Sequence, residues 1–210
     1  MTYAQDERAA LAALLDETGP DAATLCAGWQ TRDMAAHLVL RERRPDAAAG
    51  MIGGPLAGYT GRLQQQYLER YSYPQLVTQF RSGPPRLSVF AVPGLDEAAN
   101  AVEYFVHHED VRRAADGWTE RDLDPGLEDL LWRRLKGARL MLRSAPAGIV
   151  LAREHAGRLD LLVAKTAAPS VTVTGTPAEL TMWSMGRGRA AHVTVDGPDE
   201  AVAAVTAWRS

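Results

Sequence analysis

The sequence predicts a mainly α-helical fold, an antiparallel four-helix bundle followed by a small α+β domain, and three observations carry that prediction. Over residues 3–143 apolar side chains recur at helical spacing between breaks rich in glycine and proline. The composition then changes at Ser144-Ala-Pro146, beyond which short segments alternate apolar and polar residues with period two. Finally, 210 residues at 46% hydrophobic and 23% charged suffice to bury a substantial core. The expected division is therefore a helical bundle over residues 1–146 and an α+β domain over 147–210.

Each element has a local reason. Residues 3–15 set Leu11, Leu14 and Leu15 against a polar face, and Glu17-Thr-Gly-Pro20 stops the run. After a loop through Leu25-Cys-Ala-Gly-Trp29, Thr31 is expected to cap a helix reaching residue 46, with Asp33 in the first turn, where the helix dipole favours negative charge. A Gly/Pro-rich connection over 50–58 leads to a polar helix over 62–71. That helix continues past a break at Pro74 to Phe80 and ends at Pro84-Pro85. Asp96 opens the next helix, in which Ala99, Val102, Phe105, Val106 and Val111 share helical spacing, and Gly117 closes it. Asp124-Pro125 forms an N-cap and N1 pair for a long helix over 127–143. In the second part Ile149-Val-Leu-Ala-Arg-Glu and Leu159-Asp-Leu-Leu-Val-Ala read as strands turning at Ala156-Gly157. Ser170-Val-Thr-Val-Thr174 and His192-Val-Thr-Val-Asp196 are further strands. Thr176-Pro177-Ala-Glu179 opens a helix with Glu179 at the capping-box position, and residues 198–208 form the last helix.

Bulk properties exclude several classes of function. A net charge of -3 with neither a basic tail nor a basic stripe argues against nucleic acid or an anionic membrane as partner, and the short cluster Arg41, Arg43, Arg44 reads as a solvated helix end. No segment approaches the roughly 20 apolar residues of a membrane helix, and no leader pattern is present, so the expected location is the cytoplasm. The single cysteine, Cys26, rules out both an intrachain disulfide and a cysteine-rich zinc knuckle, so any metal must be held by nitrogen and oxygen. Arginine far outnumbers the two lysines, Lys136 and Lys165, which is a mark of codon bias and not of fold.

The chemistry concentrates in Asn100-Ala-Val-Glu103-Tyr-Phe-Val-His107-His108-Glu109-Asp110. On a helix, four residues at about 100° each nearly close the circle, so Glu103 and His107 share one face. His37, in Arg32-Asp-Met-Ala-Ala-His37-Leu-Val-Leu40, is a third candidate ligand on a separate helix. Two imidazoles and a carboxylate converging between helices make a metal site with a place for an exogenous ligand. Asn100 and Asp110 lie on the same side and are candidates to orient a ligand from behind, whereas His108 points about 100° away from His107. The plain alternatives are a surface Glu-His pair and a hydrogen-bonded core histidine. His155 and His192 have no partner at ligand spacing and are read as structural or exposed.

Taken together, Leu25-Cys-Ala-Gly-Trp29, Thr31-Arg-Asp-Met-Ala-Ala-His37-Leu and Glu103-x-x-x-His107 resemble the mycothiol-dependent maleylpyruvate isomerase-like proteins, a group in the DinB/YfiT-like superfamily, in an actinobacterial-type member. The resemblance covers nearly the whole chain. It implies a DinB-like bundle binding a divalent metal, zinc by default, through His37, Glu103 and His107, followed by that family's small C-terminal domain. It further implies a low-molecular-weight thiol, mycothiol in that family, as cofactor or co-substrate, with a small electrophile as substrate. The expected activity is thus S-transfer or cis–trans isomerisation. Because the cofactor supplies the sulfur, Cys26 is read as a packed, uncharged thiol and Trp29 as a staple of its loop. Arg41, Arg44, Arg62 and Arg70 are candidates for binding a substrate carboxylate.

Two other readings compete with the enzyme. A non-catalytic metal-binding protein, a sensor or accessory factor, requires a fourth protein ligand or a closed pocket, supplied by Asp110 or His108 turning inward. A small-molecule or lipid binder requires a cavity at Met182, Trp183 and Met185, whose spacing also fits ordinary core packing.

Overall fold

A computed structural model describes residues 2–44, 46, 57–85 and 95–209, together with the backbone alone at 57 and 95–99. The chain forms two compact units, Met1–Thr119 and Glu120–Ser210. Among the described residues it is mainly helical, with a four-stranded sheet.

The first unit contains α1 (Tyr3–Thr18), α2 (Thr31–Arg43), α3 (Ala57–Arg70), α4 (Tyr73–Arg81) and α5 (Leu95–Arg112). Helix α1 packs against α4 and α5, and α2 packs against α3 and α4. The buried stripe of α1 includes Ala4, Leu11, Ala12 and Leu15 at helical spacing, but also Glu7 and Arg8. These charges are buried because each meets a partner on another helix. Arg8 Nε lies 3.1 Å from Glu42 of α2 and its Nη2 donates to the Tyr104 hydroxyl at 3.0 Å, while Glu7 meets His108 Nδ1 at 2.9 Å. Leu14, expected on the core face, is only half-buried.

Several boundaries differ from expectation for local reasons. The cap of α2 is Gln30, one residue earlier than expected, and its backbone N–H donates to Asp33 at 2.9 Å. Thr31 is the first helical residue instead, and its hydroxyl donates back to the Gly19 carbonyl. Helix α2 ends at Arg43, short of residue 46. Helix α3 starts at Ala57, so only the later part of the expected 50–58 connection is described, and it is helical. Ala99 and Asp96 belong to α5, but their side chains lie outside the described residues.

The second unit begins with α6 (Pro125–Arg134), where the Asp124 carboxylate caps Gly126 N–H at 2.8 Å. The long helix expected over 127–143 is broken: α6 passes into a 3-10 turn at Leu135–Ala138, and only the short α7 (Arg139–Leu142) follows. Gly137 lies in that turn, where its backbone freedom disfavours a regular helix. Strands β1 (Gly148–His155), β2 (Arg158–Lys165), β3 (Ser170–Thr174) and β4 (Thr194–Asp196) form a sheet in the order β2-β1-β3-β4. The β1–β2 hairpin turns at Ala156 and Gly157, whose φ values of 49° and 70° suit a two-residue type I′ turn. β3 runs parallel to β1, and β4 antiparallel to β3. Between β3 and β4 lies α8 (Pro177–Ser184), capped by Thr176 as expected, and α9 (Asp199–Arg209) closes the chain. Ile149, Leu151, Val171 and Val173 share a core with Leu180, Trp183 and Val205. The sequence divides the chain at residue 146, whereas the compact units divide it after Thr119, so α6 and α7 lie in the same unit as the sheet. Among the described residues, no helix is long and apolar enough to cross a membrane.

Candidate metal centre

His37 lies midway along α2, and Glu103 and His107 lie one turn apart on α5. The fold of the first unit brings all three together. His37 Nε2 and His107 Nε2 each lie 3.3 Å from the same oxygen, Glu103 Oε1. The two rings meet edge to face with centroids 5.1 Å apart, and one ligand atom from each of the three residues lies within 4.8 Å of the others. The imidazoles are 9% and 10% exposed while the Glu103 side chain is 31% exposed, so the carboxylate marks the open side of the group.

Behind the group, the candidate supports separate. His107 Nδ1 lies 2.9 Å from Asp110 Oδ2, and Asp110 is fully buried. An ionised carboxylate only accepts, so Nδ1 carries a proton and the ring presents Nε2 to Glu103. Asn100, the other candidate, accepts from Arg41. Arg41 Nε also lies 3.2 Å from Glu103 Oε1. The Cys26 thiol is partly exposed and donates to Asp110 Oδ2 at 3.2 Å, so it is a hydrogen-bonding member of this neighbourhood rather than packing alone.

These contacts set the charges. Burial lowers His37 below its ordinary value, against the opposing hydrogen bond to Glu103. Burial also works against charge on Glu103, but bonds from His107 and His37, with the charges of His107 and Arg41, hold its carboxyl well below the usual range. For His107 the burial penalty is outweighed by bonds with Asp110, Cys26 and Glu103, which raise it well above the ordinary imidazole value. One carboxylate oxygen thus sits at the focus of two imidazoles and a guanidinium, a concentration of donors that a cation could replace.

Other sequence candidates go elsewhere. His108 meets Glu7 of α1. Arg44 is held by Asp46 and Tyr59, Arg70 lies over the Tyr71 ring, and Arg62 is on the exposed side of α3. Among the described residues, Arg41 is therefore the one of the four arginines whose contacts place it at the group. His192 is exposed, as expected, and meets carboxylates from distant positions. Its Nδ1 lies 2.5 Å from Glu120, and its backbone N–H donates to the buried Glu179 at 2.7 Å. Glu120 is 72 residues upstream, so no local spacing signals the meeting. His155 is exposed, on the last residue of β1.

Neither a protein-family model nor a curated protein matches the chain. Among solved structures it is similar to a crystal structure of a histidine-to-alanine mutant of mycothiol-dependent maleylpyruvate isomerase, with a TM-score of 0.53 and 17% sequence identity. The match covers 94% of this chain and 92% of that one. The two chains share a fold.

Proposed function

We propose that the protein is a metal-dependent enzyme that uses a low-molecular-weight thiol, mycothiol being the first to test, for S-transfer to or cis–trans isomerisation of a small electrophile. The observation that carries this reading is the three-residue donor group itself: His37, Glu103 and His107 converge to within 4.8 Å, while Cys26 and Asp110 form a second such group with His107. Two neutral nitrogens and one carboxylate suit a divalent ion, zinc by default, and three protein ligands leave a coordination position open. When bound, such an ion stabilises thiolate over thiol and supplies a nucleophile near neutral pH.

The chain's own residues have defined tasks in this reading. His37 and His107 present Nε2, Asp110 holds His107 in the required tautomer, and Glu103 offsets part of the cation's charge. Arg41, beside Glu103, is placed to receive an anionic group of thiol or substrate. The fold shared with a mycothiol-dependent isomerase supports the choice of thiol and the DinB-like reading of the helical unit. Asp110 and His108, the residues that would close the site in a non-catalytic protein, face His107 Nδ1 and Glu7 instead. Met182 and Trp183 are buried, and Trp183 packs against Trp208, as a core does.

The test is cobalt substitution of protein purified without a histidine tag. Addition of mycothiol is expected to change the visible spectrum of the bound cobalt. Protein that takes up no cobalt, or whose cobalt spectrum ignores every low-molecular-weight thiol tried, overturns the proposal.

A further inference from the structure

The loop between α1 and α2 is absorbed by neither the fold nor the ligand set, yet it is built as a closed unit. Ala23 and Gln30 pair across its base as an isolated antiparallel bridge. Inside it, Trp29 N–H donates to the Cys26 carbonyl at 2.9 Å, and the Thr24 hydroxyl accepts from Cys26 N–H at 3.2 Å while donating to the Trp29 carbonyl at 3.0 Å. Gly28, at a φ of 77°, makes the left-handed turn that closes it.

This closed loop touches both imidazoles of the candidate centre, and one of them through an intermediary as well. Leu25 N–H donates to the Asp110 carbonyl at 3.0 Å, and the Cys26 thiol donates to Asp110 Oδ2 at 3.2 Å, so successive loop residues grip the main chain and the side chain of Asp110. The same Oδ2 receives His107 Nδ1 at 2.9 Å. At the other end of the loop, the Trp29 ring lies against the His37 ring with centroids 5.0 Å apart and planes tilted by 55°.

We infer that the loop from Ala23 to Gln30 is a positioning device for both metal-binding imidazoles: Cys26 acts on His107 both beside it and through Asp110, and Trp29 sets the ring plane of His37. The physical reason is that an imidazole is useful only with the correct nitrogen free and the ring aimed at the ion. Loss of the Cys26 thiol takes one donor from Asp110 Oδ2, the oxygen that meets His107 Nδ1, and so loosens the set of contacts that fixes the His107 ring. Cys26 and Trp29 are accordingly positioning residues that need not touch the reacting atoms. The inference rests on the metal reading above for its consequence but not for its geometry.

The experiment therefore has one readout without metal and one with it. In the metal-free protein at a single fixed pH, long-range nitrogen–proton correlation spectra report the hydrogen-bonding environment of each histidine's ring nitrogens. Cys26→Ala is expected to move the His107 ring signals from their wild-type positions and to weaken cobalt binding by about 10-fold, the low end for loss of a supporting contact behind a ligand. Cys26→Ser, which keeps a donor, is expected to restore both. Trp29→Leu is expected to move the His37 signals and leave those of His107 in place. Asp110→Asn serves as a second probe should Cys26→Ala not fold, with the His107 pattern expected to change in the same direction as for Cys26→Ala. Wild-type His107 signals and wild-type cobalt affinity in folded Cys26→Ala overturn the inference, as does an unchanged His107 pattern in Asp110→Asn. If the His107 signals respond as expected but the wild type binds no cobalt, the positioning stands and the proposed function falls.

Discussion

The group formed by His37, Glu103 and His107 and the one formed by Glu120, Glu179 and His192 draw on the same residue types, yet their surroundings differ. In the first, both imidazoles are about one-tenth exposed or less and each has a support behind it, Trp29 for His37 and Asp110 for His107. In the second, the His192 and Glu120 side chains are 62% and 45% exposed. Only Glu179 is buried there, and one of its oxygens is already taken by a backbone N–H. Ligand-type residues in proximity are common on surfaces; desolvation and fixed orientation separate a candidate site from an exposed ion pair.

The most severe way to break this contrast is to remove what holds the helices of the first group together. Glu42 is fully buried between Arg8 and the Tyr104 hydroxyl, so Glu42→Ala takes the carboxylate away from a buried guanidinium. A loss of about 3–5 kcal/mol is expected by urea unfolding. Next in size, Glu103→Ala or His107→Ala is expected to lower cobalt affinity by about 100-fold or more, since loss of a supporting contact alone costs up to that factor. His192→Ala is expected to leave it unchanged in the same chelator competition. Release of metal by His192→Ala would invert the comparison.

A smaller effect tests burial in the second unit. Burial, with the nearby charge of Glu179, raises the Glu128 carboxyl above its ordinary 4.5, against the bond from Ala178 N–H. A raised carboxyl favours the folded state fully below its unfolded value, and this contribution disappears as pH rises through the folded value. Glu128→Gln retains an acceptor for Ala178 without the charge. It is therefore expected to raise the melting temperature at pH 7 by about 1–2 °C and to have no stabilising effect at pH 4, read by calorimetry. Smallest of all, Glu120→Gln breaks only the exposed pair with His192 and should shift the midpoint by less than about 1 °C.

The parts of the candidate site legible in the sequence are those set by local periodicity. Helical spacing alone puts Glu103, His107 and Asp110 on one side of α5, and Asp124-Pro125 announces the start of α6. Where a long-range partner decides, local reading fails. Glu7 and Arg8 look like solvent-facing residues, but their partners lie 101 and 34 positions away and carry them inside, while Leu14 stays partly exposed. Asn100 has the same local qualification as Asp110, and Arg41 of another helix takes it. The bond from Cys26 to Asp110 spans 84 residues and leaves no local trace. Gly137, by contrast, was a readable sign that the helix after Pro125 would break.

What the sequence determined by itself was the order of most elements and, in α5, the side shared by Glu103, His107 and Asp110, because hydrogen bonding, capping and hydrophobic periodicity act within a few residues. Tertiary structure alone decided that His37 arrives beside Glu103, 66 residues along the chain, and which polar side chains stand behind the two imidazoles. Such meetings depend on how helices pack, and packing is settled by burial summed over whole surfaces, which no short stretch of sequence encodes.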